Sequence, residues 1–166
     1  MTMEYTHVKH TFGPLFDEHS EILLLGSFPS VKSREQQFYY GHAQNRFWKV
    51  LAAVFETDVP VTIEEKKKFL LRNHIAVWDV IESCDIVGSS DSSIRNVVGN
   101  DMNVVLDKSN IKGIFTNGEK AYQLFLKYCW HEGQPQVYRL PSTSPANASW
   151  SLERLTEDWR RAFQSI

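Results

Sequence analysis

Four short apolar runs, separated by stretches with helical periodicity, limit what this sequence can fold into more than any other feature. Residues 21–26 (EILLLG), 75–80 (IAVWDV), 111–116 (IKGIFT) and 136–140 (QVYRL) each have the length and bulk of a buried strand. Between and after them, Phe47, Val50, Leu51 and Val54 recur at the i, i+3, i+4, i+7 spacing of one helix face. Ala121, Leu124, Phe125 and Tyr128 repeat that spacing, and Leu152, Leu155, Trp159 and Phe163 make a terminal apolar stripe. Strand–helix alternation predicts an α/β fold, a three-layer α/β/α sandwich around a central, mostly parallel four-stranded sheet. With 166 residues, 42% of them hydrophobic, one sizeable core is within reach, and a single domain over residues 1–166 is expected.

Several functional classes fall away on composition. No apolar run approaches the roughly 18 residues of a membrane span, and residues 1–10 lack a basic-then-apolar leader. A soluble, cytoplasmic protein without a membrane partner is expected, and a monomer. Cys84 and Cys129 are too few for an iron–sulfur or all-cysteine zinc site and form no Cys-x-x-Cys pair, so buried, reduced thiols are expected. Among the histidines only His7 and His10 are close in sequence, in a terminal arm, and neither a metal nor a cofactor is implied. The net charge of −2 exerts no global pull on nucleic acid, so any DNA contact must be a local patch. The run from Glu64 to Lys68 reads as the solvated start of a helix capped by Thr62, and Gly88 to Ser93 as a turn.

Ligands of open α/β sheets gather beyond the carboxyl ends of the strands, and each apolar run ends in a polar motif. The first leads into Gly26-Ser27-Phe28-Pro29-Ser30, the second into Trp78-Asp79, the third into Thr116-Asn117-Gly118. The fourth leads into Leu140-Pro141-Ser142-Thr143-Ser144-Pro145-Ala146-Asn147. The topology brings all four to one edge. The connection after the first run is far longer than a reversal of direction needs, and it carries Phe38, Tyr39, Tyr40, His42 and Asn45.

On these residues the chain resembles the uracil-DNA glycosylase superfamily, from about Ile22 to the C-terminus. Residues 40–50 (YGHAQNRFWKV) look like the segment after the glycine motif in the mismatch-specific branch, and residues 140–148 (LPSTSPANA) like the hypoxanthine-DNA glycosylase branch. One departure stands out: Phe28 occupies the place before the proline where most branches carry Asp or Asn to orient water. A phenyl ring cannot take that role, and the resemblance to the hypoxanthine branch points instead to Asn45 as the catalytic residue. Its carboxamide has both a donor and an acceptor with which to hold a water; the competing reading is a helix cap.

The same resemblance implies a base pocket of Gly26, Ser27, Phe28, Tyr40 and Asp79. Tyr40 is the best placed of the three aromatics to stack on an extruded base. Asp79 stands where several branches carry a base-reading Asn. Its carboxylate only accepts, which suits the ring N–H beside a carbonyl in hypoxanthine, uracil or xanthine and disfavours adenine; a turn cap is the alternative. DNA contact is expected from Arg46, Ser142, Thr143 and Ser144, aided by Lys32 and Arg34, with Pro145, Ala146 or Asn147 entering the gap left by the base. Asp91 reads as a cap and Asn117-Gly118 as a helix entrance.

The implied activity is monofunctional: excision of a deaminated base from DNA by hydrolysis of its N-glycosidic bond, hypoxanthine first and uracil second. The rival expectations are a non-hydrolytic DNA-damage or nucleotide-binding module, and a nucleoside hydrolase.

Overall fold

The computed structural model describes residues 4–166. Strands β2 (Ile22–Gly26), β3 (Ile75–Asp79), β6 (Gly113–Asn117) and β7 (Gln136–Leu140) form one sheet in the order β3-β2-β6-β7. Every neighbouring pair in it is parallel. β2 and β3 are buried at every position, as continuous apolar strands covered on both faces must be.

The crossover from β2 to β3 contains α1 (Val31–Gln36), α2 (Phe47–Val54) and α3 (Ile63–Arg72), while α5 (Glu119–Tyr128) joins β6 to β7. These two connections step across the sheet in opposite directions, so right-handed crossovers put α2 and α3 on one face and α5 on the other. The final helix α6 (Leu152–Phe163) lies with α2: Trp159 meets Phe47 edge-on with ring centroids 5.9 Å apart, and Phe163 meets Phe115 of β6 at 5.1 Å. The three expected apolar stripes bury most of their length, Tyr128 and Leu152 being the exposed ends. Thr62 caps α3 by accepting from the Glu65 N–H. Cys84 and Cys129 are buried and unpaired, and burial pushes both thiols up to about 11.

The sequence reading missed a second sheet. β1 (Thr6–Lys9), β4 (Ile81–Ile86) and β5 (Arg95–Gly99) pair antiparallel in the order β1-β4-β5. Two register shifts break the alternation of β4 against β5, and β1 and β5 are mostly exposed, so neither hydrophobic period nor burial advertises them. The two sheets are joined at Val80, whose N–H donates to the Gly26 carbonyl. The short helix α4 (Asn103–Leu106) leads back to β6, whose strand begins at Gly113, two residues later than its apolar run.

Candidate active site

The loops beyond β2, β3, β6 and β7 enclose a cavity of about 530 Å³. At its floor Gly26 and Asp79 are register partners at the ends of β2 and β3. A Cβ on Gly26 would stand 2.6 Å from Asp79 Oδ1 and 3.0 Å from the Tyr40 hydroxyl. Glycine is thus required by what lies over it: a carboxylate oxygen and a phenol converge on its Cα. The Tyr40 hydroxyl is buried without a hydrogen-bond partner. Burial and the nearby Asp79 carboxylate, against the opposing pull of the Asn117 amide beside it, hold this phenol far above its ordinary range, so it keeps its proton. Its ring stacks on Phe47 at 3.7 Å, and its carbonyl accepts from Trp48 Nε1, which ties an unusual positive φ of 51° to the start of α2.

Asp79 caps no turn. Its Oδ2 accepts from Nε2 of His10 at 2.8 Å, both side chains being nearly inaccessible to solvent. Its backbone carbonyl accepts from Asn100 Nδ2, and Oδ1 makes no hydrogen bond among the described residues. Phe28 lines the cavity with its ring between His10 and the guanidinium of Arg34.

Asn45 reaches the same cavity at the entrance of α2, and its orientation follows from two backbone groups. Its Oδ1 accepts from the Phe47 N–H at 3.0 Å, and the Thr143 N–H donates to Asn117 Oδ1 at 3.1 Å. Asn117 Nδ2 must therefore donate to Thr143 Oγ1 at 2.9 Å, and Thr143 Oγ1 to Asn45 Oδ1 at 2.7 Å. Both lone pairs of the Asn45 oxygen are then taken, and Nδ2 is its remaining polar group. Oδ1 thus serves the entrance of α2, next to the helix-capping Arg46, and leaves Nδ2 without a partner among the described residues.

The loop after β7 departs from expectation in detail. Arg46 does not face outward: its guanidinium donates to the carbonyls of Ser144, Asn147 and Trp150, holding the loop in shape. Thr143 is fully buried in the network just described. Asn147 turns inward, its Nδ2 donating to the Ser142 carbonyl. Ser142 and Ser144 accept from the N–H groups two residues onward, which leaves their hydroxyl protons free, and Pro145 and Ala146 are exposed at the tip. Arg34 is turned against Phe28 and the Gly88 carbonyl, with burial lowering its pKa, whereas Lys32 is exposed.

Ser27 donates to Asp91 Oδ1 at 2.9 Å, so Asp91 is a cavity wall residue and not a cap. Crowding by protein raises its carboxyl above the ordinary range although its outer side is open to solvent; the Ser27 hydrogen bond opposes the shift. Asn117 likewise belongs to the wall. Sequence reading missed His10, Asp91 and Asn117 as members of the site. Asn117 and Asp91 stood in recognised loops, but His10 carried no local signal, since only the unforeseen pairing of β1 with β4 brings it under Asp79. Among the described residues no group of three or more His, Cys, Asp or Glu is gathered for a metal, and no helix is long and apolar enough to cross a membrane.

Amides, a phenol and a carboxylate thus meet in one cavity beyond the carboxyl ends of a parallel α/β sheet, the place where such sheets bind small ligands and carry enzyme sites. Residues 14–164 match the model of the uracil DNA glycosylase superfamily. The chain belongs to that superfamily, whose members are enzymes acting on DNA. It is 32% identical to a hypoxanthine DNA glycosylase of Methanosarcina barkeri, over 94% of this chain and 98% of that protein. With a hypoxanthine DNA glycosylase of Methanosarcina acetivorans it shares 35% over 95% and 99% of the two chains. A protein of Methanosarcina acetivorans solved by NMR as a candidate uracil DNA glycosylase superposes with a TM-score of 0.74 at 33% identity, covering 93% of this chain and 95% of that one.

Proposed function

We propose that this enzyme flips deoxyinosine out of DNA and releases hypoxanthine by hydrolysing its N-glycosidic bond, with uracil as a second substrate base. The observation that carries this reading is the pair of polar atoms over Gly26. Asp79 Oδ1 is a free acceptor and the Tyr40 hydroxyl an unpartnered donor. Hypoxanthine and uracil both offer a ring N–H beside a carbonyl, the complement of that pair, whereas adenine turns an acceptor toward the carboxylate. The names of the two Methanosarcina relatives support the same base.

Departure of the base leaves an oxocarbenium-like sugar and drives negative charge onto the base. A preorganised Tyr40 hydroxyl on the carbonyl oxygen stabilises that charge by about 3 kcal/mol. The Asp79 carboxylate opposes the same charge, so it supplies selection and not rate. Asn45 Nδ2 donates to one lone pair of a water and leaves the other to attack the sugar; as the C–O bond forms this water gives up a proton to solvent, and the base anion freed by the broken C–N bond takes one up. Ser142 and Ser144 hydroxyls grip phosphates, and Pro145 and Ala146 fill the gap in the stack.

The test is base release from duplexes carrying a single deoxyinosine, deoxyuridine or deoxyxanthosine. Free hypoxanthine, together with an abasic strand that breaks only on alkali treatment, is the expected product. Tight binding of the lesion without any base release would sink the hydrolytic reading.

A further inference from the structure

Hypoxanthine differs from guanine only by the absence of an amino group at C2, next to the N1–H. A carboxylate with both oxygens free accepts from the guanine N1–H and 2-amino group together, two hydrogen bonds where hypoxanthine makes one. An Asp79 left to itself would therefore prefer the guanine of every normal G·C pair. His10 changes that chemistry. Its ring is buried, 4.4 Å from Phe12 and 6.0 Å from both Phe28 and Tyr39, and its Nε2–H donates to Asp79 Oδ2 at 2.8 Å. The Nδ1 on its other side is buried with no hydrogen-bond partner.

The two ends of the carboxylate are thus differently occupied. Tyr40 borders Oδ1, so a base that sets its C6 carbonyl against the Tyr40 hydroxyl turns its C2 edge toward Oδ2 and His10. We infer that His10 is a specificity-determining residue which, acting through Asp79, makes the cavity reject guanine: it occupies the second carboxylate oxygen, the one the 2-amino group would need. This inference rests on the reading of Asp79 as the residue that accepts from the base. A guanine forced into the cavity leaves its 2-amino donors buried and unpaired, a penalty of about tenfold to a hundredfold.

The experiment compares wild type, His10→Ala and His10→Gln. It measures single-turnover release of hypoxanthine from a deoxyinosine duplex and of guanine from the matched deoxyguanosine duplex. It also measures inhibition of the first reaction by free guanine and by free hypoxanthine. Each ratio is taken within one preparation, so a reduced folded fraction cancels. His10→Ala is expected to shift both ratios toward guanine by about tenfold or more, and His10→Gln, whose amide N–H still donates to Oδ2, to restore most of the discrimination. His10→Asn, with an amide too short to reach Oδ2, serves in place of an alanine variant that fails to fold. Unchanged ratios in His10→Ala, or an equal shift in His10→Gln, overturn the inference while leaving hypoxanthine release intact. A wild-type enzyme that neither releases hypoxanthine nor is inhibited by it overturns the proposed function, and this inference with it.

Discussion

Replacing Gly26 by alanine adds one methyl group to the floor of the cavity and changes nothing else by design. Its φ is not among the positive values found in the chain, so the alanine backbone is unstrained and the effect is steric. The new Cβ would stand 2.6 Å from Asp79 Oδ1, about 0.8 Å inside the 3.4 Å at which ordinary contact begins, and 3.0 Å from the Tyr40 hydroxyl. Neither atom can simply swing away. Asp79 is short, buried and held at Oδ2 by His10, and Tyr40 is stacked on Phe47. Relief must come from a displacement approaching 1 Å in the two groups assigned to the base, and a misplacement of that size costs about 10²-fold in rate. Overpacking adds a stability loss of about 1–3 kcal/mol. Single-turnover hypoxanthine release at saturating enzyme measures the first, a thermal melt the second, and affinity for undamaged duplex should hold. A folded variant that releases hypoxanthine at the wild-type rate would show that Asp79 Oδ1 and Tyr40 do not contact the base.

Asn45→Ala removes Nδ2 together with the acceptor of the Phe47 N–H and the Thr143 hydroxyl, so base release should fall about 10²-fold with duplex binding largely held; near-wild-type release by a folded variant would remove Asn45 from the chemistry. Ser142→Ala should weaken duplex binding without altering its salt slope, since a hydroxyl displaces no counterion. Arg46→Ala should lower the melting temperature and disorder the loop through Trp150 while also leaving that slope unchanged; a slope flattened by about one unit would show that the guanidinium reaches a phosphate. Asp91 is raised in the fold, so the folded state loses stability as pH rises from the ordinary carboxylate range through the Asp91 value. Asp91→Asn, whose oxygen still accepts from Ser27, should melt higher than wild type at neutral pH and lose that advantage in acid; the opposite order at neutral pH would refute the assignment.

The parallel sheet was legible because β2 and β3 are apolar along almost their whole length and β6 and β7 keep enough apolar bulk to read as strands, and the helices because their stripes keep a regular period. The segments that close the cavity were legible as sequence motifs, yet what individual side chains do there was not. Arg46 and Thr143 have the chemistry of phosphate ligands, and only the packing of the 140–150 loop shows that they are occupied within it. Ser27 and Asp91 are 64 residues apart, and no local pattern announces their hydrogen bond. His10 is the extreme case: its place depends on an edge strand with little apolar character, so its partner Asp79 could be singled out by chemistry while His10 itself could not.

The hydrogen-bond chain from Asn117 through Thr143 to Asn45 also sets when the enzyme can exist during its own synthesis. Asn45 leaves the ribosome long before Thr143, an interval of about 5–20 s at ordinary elongation rates. Until then the Asn45 oxygen lacks its second donor, β2 lacks its neighbour β6 for much of the time, and the cavity has no far wall. A nascent or truncated chain therefore carries the glycine, the phenol and the carboxylate but no chamber in which to use them.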